Sequence, residues 1–140
     1  MFIMKSNTLR NGINMKIAVI IVRSLMGLLF AFASITFFLK MITPPPATGA
    51  MKIFGEGLEA SVYIMPTVKA IELICAIAFL SGRFVPLAAV VIFPIVVNIL
   101  LIHVFIAPEG LVIGAALMLA NLYVVYYHRE CYKPMFKAKS

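Results

Sequence analysis

Residues 62–107 read VYIMPTVKAIELICAIAFLSGRFVPLAAVVIFPIVVNILLIHVFIA. Two apolar runs stand back to back here, Val62 to Leu80 and Phe84 to Ala107, separated only by Ser81-Gly82-Arg83. At about 1.5 Å per residue each run crosses a hydrocarbon layer of roughly 30 Å as a helix. A break this short leaves no room for a crossover, so the second helix must return antiparallel to the first. Neither run alternates polar and apolar residues as a half-buried strand would, and a lone segment in lipid satisfies its backbone only as a helix. The runs also contain Lys69, Glu72, Asn98 and His103. Such side chains are costly against acyl chains, so they are predicted to face the interior of a bundle.

Working outward, Ile17 to Leu39 precedes this pair and Leu111 to Tyr127 follows it, giving four spans. The fold class is therefore all-α: a membrane four-helix bundle, antiparallel and up-down, with an extended first extracytoplasmic loop. Residues 1–16 form an N-terminal cytoplasmic segment, 17–127 the membrane domain, and 128–140 a basic cytoplasmic tail. Pro44-Pro45-Pro46 and Gly49 end the first span, and Ala107-Pro108-Glu109-Gly110 separates the last two. The first loop mixes apolar and charged residues between Ala50 and Leu58, a pattern that predicts a short interfacial helix. Pro66 and Pro86 fall in first turns, whereas Pro94 lies mid-span and deprives the carbonyl near Val90 of its donor.

Hydrophobic residues make up 64% of the chain and charged residues 12%, and the mean hydropathy is +1.09. These values lie outside the soluble range. The net charge of +7 would suggest nucleic acid in a soluble protein, but no reading motif accompanies it, and nucleic acid is excluded as a partner. The basic residues instead flank the spans: Lys5, Arg10 and Lys16 before the first, Arg83 in the second loop, and Arg129, Lys133, Lys137 and Lys139 after the fourth. The positive-inside rule places these segments in the cytoplasm and makes anionic membrane lipid their counter-charge. Lys40, Lys52, Glu56, Glu59 and Glu109 nearly balance one another on the other side. Ala31-Phe32-Ala33 resembles a signal-peptide cleavage site, yet Arg23 interrupts the apolar core such a peptide needs, so the first span is expected to be retained.

Cys75 and Cys131 lie far apart in depth and lack metal-binding spacing, and the nine methionines show no M-x-x-M repeat. No motif for haem attachment, phosphate binding or a Ser/His/Asp site is present. No catalytic residue, metal site or intrinsic cofactor is expected. Gly27-x-x-x-Ala31 and Ala116-x-x-x-Ala120 offer small faces for close helix packing.

The candidate site is an interior polar network of Arg23, Lys69, Glu72, Asn98, His103 and Asn121. Counting from the cytoplasmic ends of the spans, Arg23 lies roughly 9 Å deep and Glu72 roughly 12 Å. Opposite charges at matched depth predict an Arg23–Glu72 ion pair, with Lys69 one turn from Glu72 sharing the carboxylate. Asn121 reaches a similar depth from the fourth span. Asn98 and His103 extend the ladder outward, with His103 near Lys40 and Glu109.

Arg23-x-x-x-Gly27, Tyr63-x-x-Pro66-x-x-Lys69-x-x-Glu72, Ser81-Gly82-Arg83-Phe84-Val85-Pro86-Leu87-Ala88, and Phe93-Pro94-Ile95-Val96-Val97-Asn98 with His103 resemble the DoxX family over nearly the whole chain. The resemblance implies a four-helix protein of the bacterial inner membrane that accompanies redox complexes, quinone among its ligands and a redox subunit its partner. That family has no agreed catalytic set to carry over. The competing expectations are a scaffold or assembly factor and a small proton-coupled transporter. Four spans are few for alternating access, so transport would call for a homo-oligomer.

Overall fold

The computed structural model describes residues 2–138, so Lys139 of the basic tail lies outside the described residues. Helix α1 runs Phe2–Phe38, α2 Gly49–Ala60, α3 Ile64–Ser81, α4 Val85–Phe105, α5 Leu111–Tyr127 and α6 Arg129–Tyr132. Short 3-10 turns occupy Pro108–Gly110 and Lys133–Phe136. Four of the helices, α1, α3, α4 and α5, are long and apolar enough to cross a membrane, which makes the chain an all-α membrane helical bundle.

The four long helices close a ring. The α1–α3 seam is the most extensive, α4–α5 and α3–α4 follow in that order, and the α1–α5 seam that completes the circuit is the slimmest. Phe30, Phe79, Ile92, Val96 and Val124 fill the centre with no more than 1% exposure. The outward faces stay apolar: Leu25, Leu28, Phe32, Ile74, Leu87 and Leu119 are exposed and would stand against acyl chains. Such a surface is wrong for water and right for lipid.

Local chemistry sets the helix ends. Gly82 adopts φ +75° as the left-handed cap of α3, its N–H bonding the Ala78 carbonyl, and Pro86 sits in the first turn of α4. The Pro-rich segment after α1 has no hydrogen-bonded structure between Met41 and Thr48. α2 touches α3, has Phe54 and Leu58 half-buried, and leaves Lys52 and Glu56 outside, 3.9 Å apart. α4 continues through Pro94 as one helix.

Two expectations change. Residues 1–16, set apart as a segment by their polarity, continue α1 without a break from Phe2, and the helix reaches about 26 Å past the first buried residue, Val19. Ala116, exposed, and Ala120, half-buried against the core, line an apolar groove between α5 and α1 together with Val22 and Leu29, so a gap remains where close packing is expected. The small face that does bring two helices together is at Gly27, where a Cβ would lie 2.8 Å from Leu80 Cγ and 3.2 Å from the Ala76 carbonyl oxygen.

Candidate functional site

Close approach at Gly27 fixes how α1 and α3 align, and the rest of the site follows from it. With Gly27 against Ala76 and Leu80, one turn-pair further along α1 places Ser34 opposite Glu72. Ser34 is fully buried and Glu72 is 3% exposed. Glu72 Oε2 accepts from Lys69 Nζ at 2.8 Å and from Ser34 Oγ at 3.4 Å. Lys69 and Glu72 lie one turn apart on α3, the Lys69 side chain 17% exposed. Glu72 stands about 12 Å from the start of α3 and about 14 Å from its end, at mid-span. A carboxylate there is tolerable only because a cation and a hydroxyl converge on one of its oxygens. Cys75, the next turn on, is buried beside the pair.

Arg23 does not join them. Its guanidinium donates to the Phe79 carbonyl and packs over Gly82, where a Cβ would lie 3.0 Å from Nη2. The expected Arg23–Glu72 pair is therefore wrong. Hydropathy rises at Ile17 and places Arg23 by its depth alone, but alignment is set by Gly27, which puts Arg23 level with the C-terminus of α3. Ser34, the residue that does meet Glu72, lies about 16 Å further along α1. In its actual place Arg23 caps a carbonyl of the last turn of α3 and faces the negative end of that helix.

The remaining polar residues are also separate. Asn98 is a second correction: it is exposed on the outside of α4, where its Nδ2 bonds the Pro94 carbonyl at 2.9 Å. Back-bonding to its own helix satisfies the amide without any partner helix. Asn121 is fully buried and donates from Nδ2 to the Ala89 carbonyl at 3.2 Å, tying α5 to α4, while its Oδ1 has no partner. His103 sits near the end of α4 with Nδ1 3.0 Å from the Ala107 carbonyl. A carbonyl partner makes Nδ1 the protonated nitrogen. The imidazole fills the space over Gly110 and Gly114, where an added Cβ would meet the ring. It pairs with neither Lys40 nor Glu109 among the described residues. The ladder thus resolves into one interior cluster, Ser34–Glu72–Lys69, and four isolated anchors, Arg23, Asn98, His103 and Asn121.

Ser34 was missed because a serine in an apolar run looks like filler. Its signal was positional: Arg23, Gly27, Phe30 and Ser34 follow one another at helical spacing on a single face. Tyr132, 8% exposed, lies in the basic tail, where no pattern in the sequence marks it; its hydroxyl donates to the Pro86 carbonyl at 2.7 Å and pins the tail to the start of α4. Burial, and to a lesser degree Cys131 beside it, holds its phenol above the ordinary value of 10.0, so the donor stays protonated at neutral pH. No group of three or more His, Cys, Asp or Glu able to hold a metal occurs among the described residues. No protein-family model, curated protein or solved structure matches the chain.

Proposed function

We propose that the chain is a DoxX-type protein of the bacterial cytoplasmic membrane, with both termini cytoplasmic, serving as an accessory subunit of a quinone-linked redox complex. The observation that carries this reading is the titratable Lys69–Glu72 pair held at mid-span with Ser34. A carboxylate, a cation and a hydroxyl brought together inside a span are the groups that a quinone headgroup site or a proton relay needs. The redox centre would belong to the partner subunit; this chain would supply the proton-accepting group and the hydroxyl that orients it. The residues quoted for the DoxX resemblance include Lys69 and Glu72, so family pattern and interior pair support the same reading.

The test is to purify the protein in native-lipid particles, extract and quantify quinone, and assay oxidoreductase turnover with co-purifying subunits. Bound quinone in the wild type that falls in Glu72→Gln is the expected result. A preparation free of quinone, inert even with every co-purifying partner, overturns the proposal. A second reading, a scaffold or assembly factor, is favoured by one observation: the Ser34–Glu72 bond joins α1 to α3 and so specifies helix order. Under it Glu72→Gln lowers yield and melting temperature and leaves partner turnover unchanged once protein amounts are matched.

A further inference from the structure

The N-terminal overhang of α1 is an apolar row with cations at its edges and nothing packed on it. Residues 3–17 are all exposed, among them Leu9 at 65%, Ile13 at 59% and Ile17 at 51%. These three follow at four-residue steps, and the same stepping leads on to Ile21, 54% exposed, on the outward face of the span. Lys5 and Lys16 border the row on one side and Arg10 on the other, its guanidinium donating to Asn7 Oδ1 at 3.3 Å, while Asn11 lies on the opposite face with Met4 and Met15, flanked by Asn7 and Asn14. None of these cations forms an ion pair among the described residues, and no carboxylate precedes Glu56 in the sequence.

We propose that this arm is a membrane-surface anchor that binds anionic phospholipid headgroups of the leaflet it emerges from. Three features select that occupant. The apolar row is continuous with the lipid-facing side of the span, so bending toward that side lays Leu9 against the bilayer and keeps the asparagines in water. The unopposed cations at the margins of the row complement phosphate, and their long stems let the charge reach it. Asn7, Thr8, Asn11, Gly12 and Asn14 are weak helix formers, so a helix here draws its stability from a surface that covers its apolar face. Gly12, a weak helix former with open space around it inside the continuous helix, is where bending the arm costs least. The anchor is independent of the redox reading and of which side the termini occupy.

Spin labels at Leu9→Cys and Asn7→Cys, each in the full-length Cys131→Ser protein in lipid nanodiscs, test it. In discs containing phosphatidylglycerol the Leu9 label is expected to be accessible to oxygen and shielded from a water-soluble nickel quencher, and the Asn7 label the reverse. In phosphatidylcholine discs, or after Lys5→Gln and Arg10→Gln, the surface-bound population falls by about fivefold for each cation removed. Equal quenching of both labels by nickel in anionic discs overturns the proposal. So does dipolar coupling between Leu9 labels of two molecules in both lipids, which would give the row to a second copy of the chain. Shielding of Leu9 that is unchanged by lipid charge or by the glutamine substitutions also overturns it, because headgroup charge would then play no part.

Discussion

Lys69 and Glu72 stabilise the fold only as a pair, and single substitutions should cost far more than joint ones. Lys69→Met leaves a carboxylate buried in a span without its cation, at an expected cost of about 3–5 kcal/mol. Lys69→Met with Glu72→Leu removes both charges and should recover most of that loss, as read by reversible unfolding in mixed micelles. If the double variant is as unstable as the single, the pair is not the reason for the loss. Ser34→Ala removes a bond of 3.4 Å to a carboxylate that keeps its lysine, and should cost under about 1 kcal/mol. At this scale the sequence was legible where partners lie on one helix, because spacing alone brings Lys69 to Glu72. It was not legible for Arg23, whose partner depends on how two helices slide past one another. Nor was it for Asn98, since a mid-span amide looks the same whether it faces a neighbour or bonds the carbonyl four residues back.

Between helices, contact at Gly27 sets the alignment of α1 and α3 and hence what reaches Glu72. Gly27→Val should force the Ala76 carbonyl away, cost about 1–3 kcal/mol, and weaken the Ser34 bond in the same step. The readout is a lower melting temperature that Leu80→Ala partly restores, since Leu80 is the other atom group in the way. Gly82→Ala is worse placed than its surface position suggests, because φ +75° costs a residue with a Cβ about 1–2 kcal/mol and the methyl group presses on Arg23. The tail is held differently. Tyr132→Phe deletes the hydroxyl that bonds Pro86, for about 0.5–1.5 kcal/mol at neutral pH. The folded phenol titrates above 10.0, so its contribution is complete below that pH and is lost as pH rises through the higher folded value. Wild type should therefore show an alkaline loosening of the tail, followed by limited proteolysis, that the phenylalanine variant lacks. The four apolar helices were readable because hydropathy reports the solvent around a helix. The start of α1 was not, because a helix can leave the membrane without ending, and polarity marks the exit rather than the terminus.

Across the whole molecule, charge is divided between two ends. Arg23 packs against Gly82 and Tyr132 bonds Pro86, so the N-terminal overhang, the α3–α4 turn and the tail all leave the bundle on one side. That side carries Lys5, Arg10, Lys16, Arg83, Arg129, Lys133 and Lys137 against Glu130 alone, whose carboxylate is held by Lys133 at 2.6 Å. Arg129 lies 4.5 Å from the Tyr126 ring centroid, the aromatic and cationic pairing expected at a headgroup boundary. The other side has Lys40 and Lys52 against Glu56, Glu59 and Glu109. Lysine and arginine bias of this kind sets orientation during insertion, and the proposed orientation has the basic end in the cytoplasm. The two cysteines report it directly, since Cys131 is exposed on the basic side and Cys75 is 2% exposed in the core. A membrane-impermeant maleimide should label Cys131 in inverted vesicles and not in intact cells, and Cys131→Ser should take up no label in either until denaturant opens the bundle. Labelling from outside intact cells would reverse the orientation. The Lys69–Glu72 pair would then lie at the same mid-membrane depth, but Lys69, the more exposed of the two, would be offset toward the cytoplasm instead of away from it.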